Sequence, residues 1–543
     1  MESNLRLRGP LTVYLLIAGI VSYCQSDAIN ADFIAYATVA HRVIESPAMS
    51  VTGSWSPLYS WLMAPLCALG IDDLLAGRAI LLLAGLGYIA VIHRLGKQFF
   101  PPTSPVNRLM IRGVLACATV QAIWFSTYLL NPDLLASAII FLYLAQLTDP
   151  KTGKSIPRGF MAGMVLGLAY LAKAYMLPFG IVQFLMFLVA EKAFRSNGNG
   201  MPQSRFRLLP LASLLIGLGI IAGPWIFVLS NKYERCTYTN AGRANHANVG
   251  PGSFGKDPLW HPPLTPDYIL EPVIAPEWSP LASLDNFKHQ LFLIYHNGLN
   301  CIGLIPGWLA MTGLALAASM RRRKAVAISP LAVWATITAA IYCSGYLMVN
   351  LEARYIAPVV APLLCLATAA LVREFLECEL AIQTREGLQR FMAPMSCERK
   401  WTIGVVSLVL AFGAVDLYSI ACIALYHPQS ARMSTFRAIA QRLEEAGIGD
   451  QPTASNRWHD GLYIAYARGR VSSYLGSPQS ASREGATEEL LSKGVSLHLH
   501  WKLEEEPTVT SWPLDQFIAG FFSRRLTIID PWQASQKVEV YIR

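Results

Sequence analysis

The chain has 543 residues, of which 53% are hydrophobic and only 15% charged, and its mean hydropathy is +0.38. Soluble proteins carry about 25% charged residues, so the composition excludes an ordinary soluble enzyme. It describes a mainly α polytopic membrane protein with some mass outside the bilayer. The net charge of +9 does not point to nucleic acid, because most Lys and Arg of the first 400 residues sit in short loops between apolar segments. The ten cysteines have no CxxC pair and no regular spacing, so neither a zinc site nor a disulfide framework is indicated. One bridge, Cys236 to Cys301, is the single pairing to consider, against the common use of free cysteine in apolar segments.

A spanning helix takes about 20 apolar residues. On that ruler the chain opens with a helix near 9–25. Arg6 and Arg8 precede it, and bulky Tyr23 before Cys24 does not suit signal cleavage, so it reads as an uncleaved first span. Further spans fall near 74–95, 109–127, 132–148, 159–173, 175–192, 208–230, 297–319, 327–348, 355–373 and 401–425, which makes about eleven by that length criterion. The stretch Leu58 to Gly70 is apolar but short, carries Pro65, and reads as an interfacial helix. Asn30 is a candidate cap for the helix-like run Phe33 to Ile44. Asp72-Asp73 reads as the capped start of the second span.

The basic residues set the orientation. Arg6 and Arg8, Arg94 to Arg112, Lys151 to Arg158, Lys192 to Arg207, Arg321 to Lys324, and Arg373 to Lys400 all fall on one side if the N-terminus is cytoplasmic. The loops 26–73 and 231–290 are then extracytoplasmic. The chain divides into a transmembrane module, 1–425, and a small extracytoplasmic α/β domain, 426–543. In the latter, Ser434 to Ala446 has helical spacing with Ser434 as N-cap. Ser496 to Trp501 and Val538 to Ile542 alternate like strands, and Leu462 to Tyr466 is a further strand candidate. Short loops and the absence of retention signals suit a bacterial inner membrane.

Several polar residues then fall on the outer face. Asp27 and Asp32 follow the first span, where ionisable groups are costly without a function; the plainer reading is a solvated end or a cap. Asp32 precedes Tyr36 and faces an aromatic stretch, Trp55 to Trp61, that includes Tyr59. A carboxylate in such a half-dry site acts as a base. Asp133 opens the fourth span. Lys173 interrupts an apolar run too long for one helix and marks an outer turn. Arg354 and Tyr355 start the tenth span, and a guanidinium suits phosphate oxygens. For Asp133, Lys173 and Arg354 the plainer readings are a cap, a snorkelling lysine and an interfacial anchor. Arg243 and His246 are polar candidates in the long outer loop. His289 and His296 do not have a recognised metal-ligand spacing, so no metal or cofactor is expected.

The ordered set resembles the GT-C superfamily of integral-membrane glycosyltransferases, above all the branch of dolichyl-phosphate-mannose protein mannosyltransferases and bacterial lipid A aminoarabinose transferases. The set comprises Asp32 and Tyr36, Ser56-Pro57-Leu58-Tyr59, Arg78, Asn131-Pro132-Asp133, Leu171-Ala172-Lys173 before Pro178, and Arg354-Tyr355 before Pro358. The resemblance implies a polyprenyl-phosphate-linked sugar as donor. It implies an envelope glycolipid, polysaccharide or protein as acceptor, and inverting transfer on the outer side of the membrane. It also implies Asp32 as base and Lys173 and Arg354 as holders of the donor phosphate, with Tyr36, Tyr59, Asp133 and Tyr355 around them. Many members carry two adjacent acids in the first outer loop. Here Phe33 follows Asp32 and the other acid is Asp27, so the base is one of these two, with Asp32 favoured. A transporter or lipid flippase, or a non-catalytic envelope-assembly subunit, are the alternative readings.

Overall fold

The computed structural model describes residues 2–149, 151–152, 155–195, 208–252, 254, 269–271, 277–304, 330–386, 428–478, 483–503, 523–529 and 536–542. The first helices are α1 (Glu2–Cys24), α2 (Ala31–Glu45), α3 (Leu58–Ala68), α4 (Asp73–Phe99), α5 (Pro105–Thr127) and α6 (Asp133–Leu147). Next come α7 (Ile156–Ala172), α8 (Met176–Arg195), α9 (Leu208–Lys232), α10 (Ala241–Ala247), α11 (Leu284–Leu304), α12 (Pro330–Tyr346) and α13 (Ala353–Glu386). Among the described residues, five helices are long and apolar enough to cross a membrane: Leu7–Cys24, Asp73–Phe99, Pro105–Thr127, Leu209–Lys232 and Ala353–Arg373. Helices α3, α6 and α7, and Met176–Phe187 of α8, are apolar but shorter. The expected span at 401–425 and the end of the one at 297–319 lie outside the described residues.

Local chemistry explains the helix starts. The Asn30 side chain accepts from the Phe33 amide at 3.3 Å and caps α2. Asp72 caps α4 by accepting from Leu74 and Leu75 at 3.0 and 3.2 Å, as its position before an apolar run predicts.

Helices α7 and α9 show how the bundle packs. Gly159, Gly163 and Gly167 form a stripe down one face of α7. A Cβ on Gly159 would stand 2.5 Å from the Pro210 carbonyl oxygen, and one on Gly163 would collide with the Leu214 carbonyl. On the facing helix Gly217 meets the Phe160 carbonyl in the same way. Small residues spaced by four let two backbones touch, which is how helices associate where water drives nothing. Proline adds a second device on α13. Pro362 has no N–H to give the carbonyl of Pro358, and the buried Tyr88 hydroxyl of α4 donates to that oxygen instead, at 2.6 Å.

The segments around 52–55, 232 and 269–271 are sewn together. Thr52 Oγ1 donates to the Leu270 carbonyl and Trp55 Nε1 to that of Ile269, both at 2.7 Å. Lys232 pairs with Glu271 at 2.5 Å.

The C-terminal part contains α14 (Pro428–Glu445), α15 (Trp458–Ala467) and α16 (Arg483–Ser492). Its strands are β1 (Thr453–Ser455), β2 (Tyr474–Gly476), β3 (Leu497–Leu503), β4 (Ser523–Ile529) and β5 (Gln536–Ile542). They form a mixed sheet in the order β2-β1-β3-β5-β4. β1 runs parallel to β2 and β3, while β5 is antiparallel to β3 and β4 and pairs Val540 with Leu499. All three helices end the same way, with Gly447, Gly469 and Gly494 at positive φ. The following amide reaches back to Leu443, Ala465 or Leu490 at 2.8–3.0 Å, a helix stop that favours glycine.

Two local expectations fail here. Ser434 lies inside α14 and does not cap it, because the helix begins at Pro428. Leu462 to Tyr466 belongs to α15, not to a strand: its apolar run packs into a core on one helix face, a pattern that periodicity over so few residues does not separate from a strand. The expected strands at 496–501 and 538–542 are β3 and β5. Cys236 is exposed and Cys301 is buried beside Cys343; all three are free thiols, so the considered Cys236–Cys301 bridge is absent.

One hydrophobic core joins the segment between α1 and α4 to this C-terminal part. It contains Phe33, Ile34, Tyr59 and Met63 together with Phe436, Ile439, Leu443, Leu462, Ile464, Leu497 and Val540. The rings of Phe33 and Tyr466 meet edge to face at 6.3 Å. The helix that carries Asp32 is therefore packed from behind by α15.

Candidate active site

Four helix ends converge on one cluster. Asp32 lies in the first turn of α2 and Asp133 in the first turn of α6, positions where the positive helix end favours a carboxylate. The Asp133 amide donates to Asn131 Oδ1 at 3.1 Å, which fixes that start. Lys173 terminates α7 in an extended conformation. The next amide, of Ala174, donates to Ser56 Oγ at 3.0 Å, so the Trp55-Ser56-Pro57 turn pins the break between α7 and α8. Arg354 and Tyr355 open α13.

The side chains then close on one another. Arg354 Nη1 pairs with Asp32 Oδ2, and its Nε donates to Glu352 Oε2 at 2.6 Å. The Tyr355 hydroxyl donates to Glu352 Oε1 at 2.9 Å. Lys173 Nζ holds Asp133 Oδ1 at 2.5 Å and stands 4.3 Å from the centre of the Tyr355 ring. The Arg354 guanidinium is 5.1 Å from the same ring. One aromatic ring thus joins two ion pairs from four separate helices, and the Tyr346 ring stacks on it at 5.4 Å and stands 5.8 Å from Lys173 Nζ. Three carboxylates and two cations share the cluster.

Tyr36, one turn along α2 from Asp32, is buried. Burial pushes its phenol well above its ordinary pKa, and the charges of Asp32 and Asp133 add to the rise. It stays protonated, a neutral hydrogen-bond donor. Its ring packs edge to face on Trp55 at 5.2 Å and on Tyr59 at 5.4 Å. Tyr59 is fully buried, and its hydroxyl has no hydrogen-bond partner among the described residues.

The structure does not bring every expected residue here. Asp27 faces another way and pairs with Arg437 of α14 at 2.5 Å. Arg243 pairs with Glu277. His246 Nε2 donates to Gln290 Oε1 at 3.0 Å, and its ring stacks on Trp278 at 4.4 Å. His289 is 2.8 Å from the Val249 carbonyl, and His296 packs on Phe254 and Phe292. Among the described residues there is no group of three or more His, Cys, Asp or Glu placed to hold a metal. Arg78 donates to the carbonyls of Ser22 at 2.7 Å, Gln25, and Ala28 at 3.2 Å. It caps the end of α1 and shapes the turn that leads to Asp32.

Sequence reasoning left Glu352 without a role, although it stands two positions before Arg354 and orients that guanidinium. A short acid-x-arginine spacing at a helix start was the available signal. Tyr346 carried no local signal, and Ser56, quoted only as part of a motif, gave no sign of its bond to Ala174, 118 positions away.

No protein-family model matches the sequence, and no curated protein matches it either. Comparison of structures does find matches. ArnT from Cupriavidus metallidurans in the apo state superposes with a TM-score of 0.56 at 13% identity, over 98% of both chains. The same protein bound to undecaprenyl phosphate gives a TM-score of 0.53 at 15% identity, again over 98% of both. Arabinofuranosyltransferase AftD from Mycobacteria gives 0.53 at 12% identity, over 99% of this chain and 39% of the other. The chain therefore shares its fold with ArnT and AftD and resembles ArnT over 98% of its length, and its apolar helices are those of a multi-pass membrane protein.

Proposed function

We propose that this protein is a membrane glycosyltransferase that moves a sugar from a polyprenyl-phosphate donor to a hydroxyl of a cell-envelope acceptor. The observation that carries the reading is the clustering of Asp32 with Arg354, Lys173 and Asp133, drawn from four helix ends. A similarly folded protein, ArnT, is known bound to undecaprenyl phosphate.

In the proposed reaction the donor phosphate engages Arg354 and Lys173, each of which already holds an aspartate. Phosphate is acceptor-only and matches both cations. Taking up Arg354 releases Asp32 from its ion pair. Asp32 then removes the acceptor O–H proton, the oxygen attacks the anomeric carbon, and the carbon–oxygen bond to phosphate breaks. The polyprenyl phosphate leaves with the electron pair, and the two cations stabilise its growing charge. One displacement inverts the anomeric centre. A phosphate leaving group needs no partner acid, unlike glycoside hydrolysis, which uses two carboxyls. Asp32 is favoured over Asp27 because Asp32 pairs with Arg354 within the cluster, whereas Asp27 pairs with Arg437 outside it. The accompanying topology has about eleven spans by helix length, a cytoplasmic N-terminus and the sheet outside, in a bacterial inner membrane.

The test uses purified protein, polyprenyl-phosphate sugars labelled in the sugar, and envelope fractions as acceptors. Label passes to an acceptor with the parent protein and not with Asp32→Asn, which still binds donor. Undiminished transfer by Asp32→Asn sinks the mechanism. No transfer by the parent protein to any envelope fraction favours a non-catalytic subunit.

A further inference from the structure

Helices α14 and α15 enclose an open pocket that the cluster above does not use. Its volume is about 330 Å³, and Arg437, Gln441, Glu444, Arg468 and Arg470 line it. Three guanidinium groups against one carboxylate leave its lining positive.

The three arginines are held differently. The Arg468 side chain is 3% exposed. Its Nε donates to Glu444 at 3.0 Å and its Nη2 to the carbonyls of Ile448 and Gly449 at 2.7 and 3.1 Å. It therefore occupies the one carboxylate in the lining. Arg470 is held loosely: its nearest carboxylate oxygens, of Glu444 and Asp450, are 3.6 and 3.4 Å away. A charge-assisted bond is about 2.7–2.9 Å. Its buried Nε has no hydrogen-bond partner among the described residues. Arg437, from α14, pairs with Asp27 at 2.5 Å, so this wall of the pocket touches the loop that leads to Asp32.

Guanidinium forks match the oxygens of phosphates and carboxylates. We propose that this pocket binds an oxyanion, a phosphate or carboxylate carried by the acceptor, and so docks the acceptor beside the loop of Asp32. This rests on the transferase reading above. Arg470 supplies a guanidinium whose contacts with Glu444 and Asp450, at 3.6 and 3.4 Å, are longer than charge-assisted bonds and open to exchange. Arg437 supplies a second cation whose bridge to Asp27 is solvent-screened and easily exchanged. An oxyanion that draws Arg437 away from Asp27 also loosens the turn between Asp27 and Asp32, which couples acceptor arrival to the base.

The test is binding, read independently of turnover, on the full chain in nanodiscs of zwitterionic lipid. Glucose 1-phosphate is titrated by calorimetry with glucose as the neutral control. The phosphate binds, glucose does not, and affinity falls with added salt. Replacing Arg437 and Arg470 together by Gln weakens the phosphate about tenfold, as loss of charge-assisted bonds requires, and Arg470→Lys keeps part of the affinity. Asp133→Asn/Lys173→Met, which removes a donor-side cation, leaves it unchanged. Arg437 is exposed and Arg470 partly buried, so an unaltered melting temperature checks that the fold is intact; Arg470→Glu is the second variant if the pair melts early. Absence of binding overturns the proposal. So does weakening by Asp133→Asn/Lys173→Met without weakening by the arginine variants, because the probe then sits at the donor cations. Anionic phosphatidylglycerol in the nanodisc that displaces the probe through Arg437 and Arg470 also overturns it, by assigning the pocket to lipid headgroups. Failure of sugar transfer with intact probe binding counts against the transferase reading alone.

Discussion

Asp27 and Asp32 stand five positions apart in one loop, and each holds an arginine from far along the chain. Their surroundings differ. The Asp32 and Arg354 side chains are 26% and 18% exposed, and a second ion pair and a tyrosine ring adjoin them. The Asp27 and Arg437 side chains are 36% and 51% exposed, on the rim of an open pocket. Water and salt screen the outer pair, while the inner one keeps most of its Coulomb strength. Two acids of the same type therefore suit different tasks. Under the proposed function the enclosed one serves the reaction, where charge is held away from water, and the exposed one a contact that forms and releases.

The largest expected effect is on turnover. Asp32→Asn lowers sugar transfer by about 10²–10⁴-fold, the worth of a general base. Asp27→Asn costs less than about fivefold, as for an exposed ion pair. Initial rates with labelled donor measure both, and equal losses would erase the distinction between the two acids.

Stability gives the next test. Lys173→Met leaves the buried Asp133 without its cation and costs about 3 kcal/mol, in line with other broken buried pairs. Asp133→Asn added to it recovers most of that loss. Thermal unfolding in detergent reads the pair, and a double variant no better than the single would show that charge is not the cause.

Packing behind Asp32 gives a smaller effect. A Cβ on Gly77 would stand 2.6 Å from Phe33 Cε2 and 2.7 Å from the Tyr59 hydroxyl. Gly77→Ala therefore pushes on α2 and costs about 1–3 kcal/mol. Gly87→Ala on the same helix meets nothing within 4 Å and is neutral or gains up to about 1 kcal/mol. Melting temperatures of the two variants should differ in that order; a reversed order would separate Asp32 from its supporting core.

The smallest effect is at the periphery. His41 Nε2 is 2.8 Å from Asp73 Oδ1, and that hydrogen bond, against partial burial, raises the His41 pKa. The folded chain thus holds this proton more tightly than the unfolded one. The stabilisation is fully present below about pH 6.5, the ordinary histidine value, and is lost as pH rises through the raised folded value. His41→Gln should melt lower than the parent in mild acid, and the gap should close in mild alkali. A gap that widens with pH would have the wrong sign.

Much of the cluster was legible because its members sit at helix ends. Asp32, Asp133, Lys173 and Arg354 each interrupt or bound an apolar run, and alternating spans put such ends on one face. Their pairing was not legible. Asp32 meets Arg354 across 322 residues and Asp133 meets Lys173 across 40, and no local pattern encodes which acid takes which cation. For the same reason the sequence favoured Asp32 as the base but left Asp27 open.

The sequence by itself determined the membrane class, the helix starts at Asn30 and Asp72, and the face on which the polar residues gather. Hydropathy and capping act over a few residues, so they are written locally. Only the tertiary structure decided that Glu352 orients Arg354, that Tyr355 bridges two ion pairs, and that α15 packs behind the helix of Asp32. It also turned Leu462 to Tyr466 into a helix, because burial against a distant core outweighs the weak periodicity of a short segment.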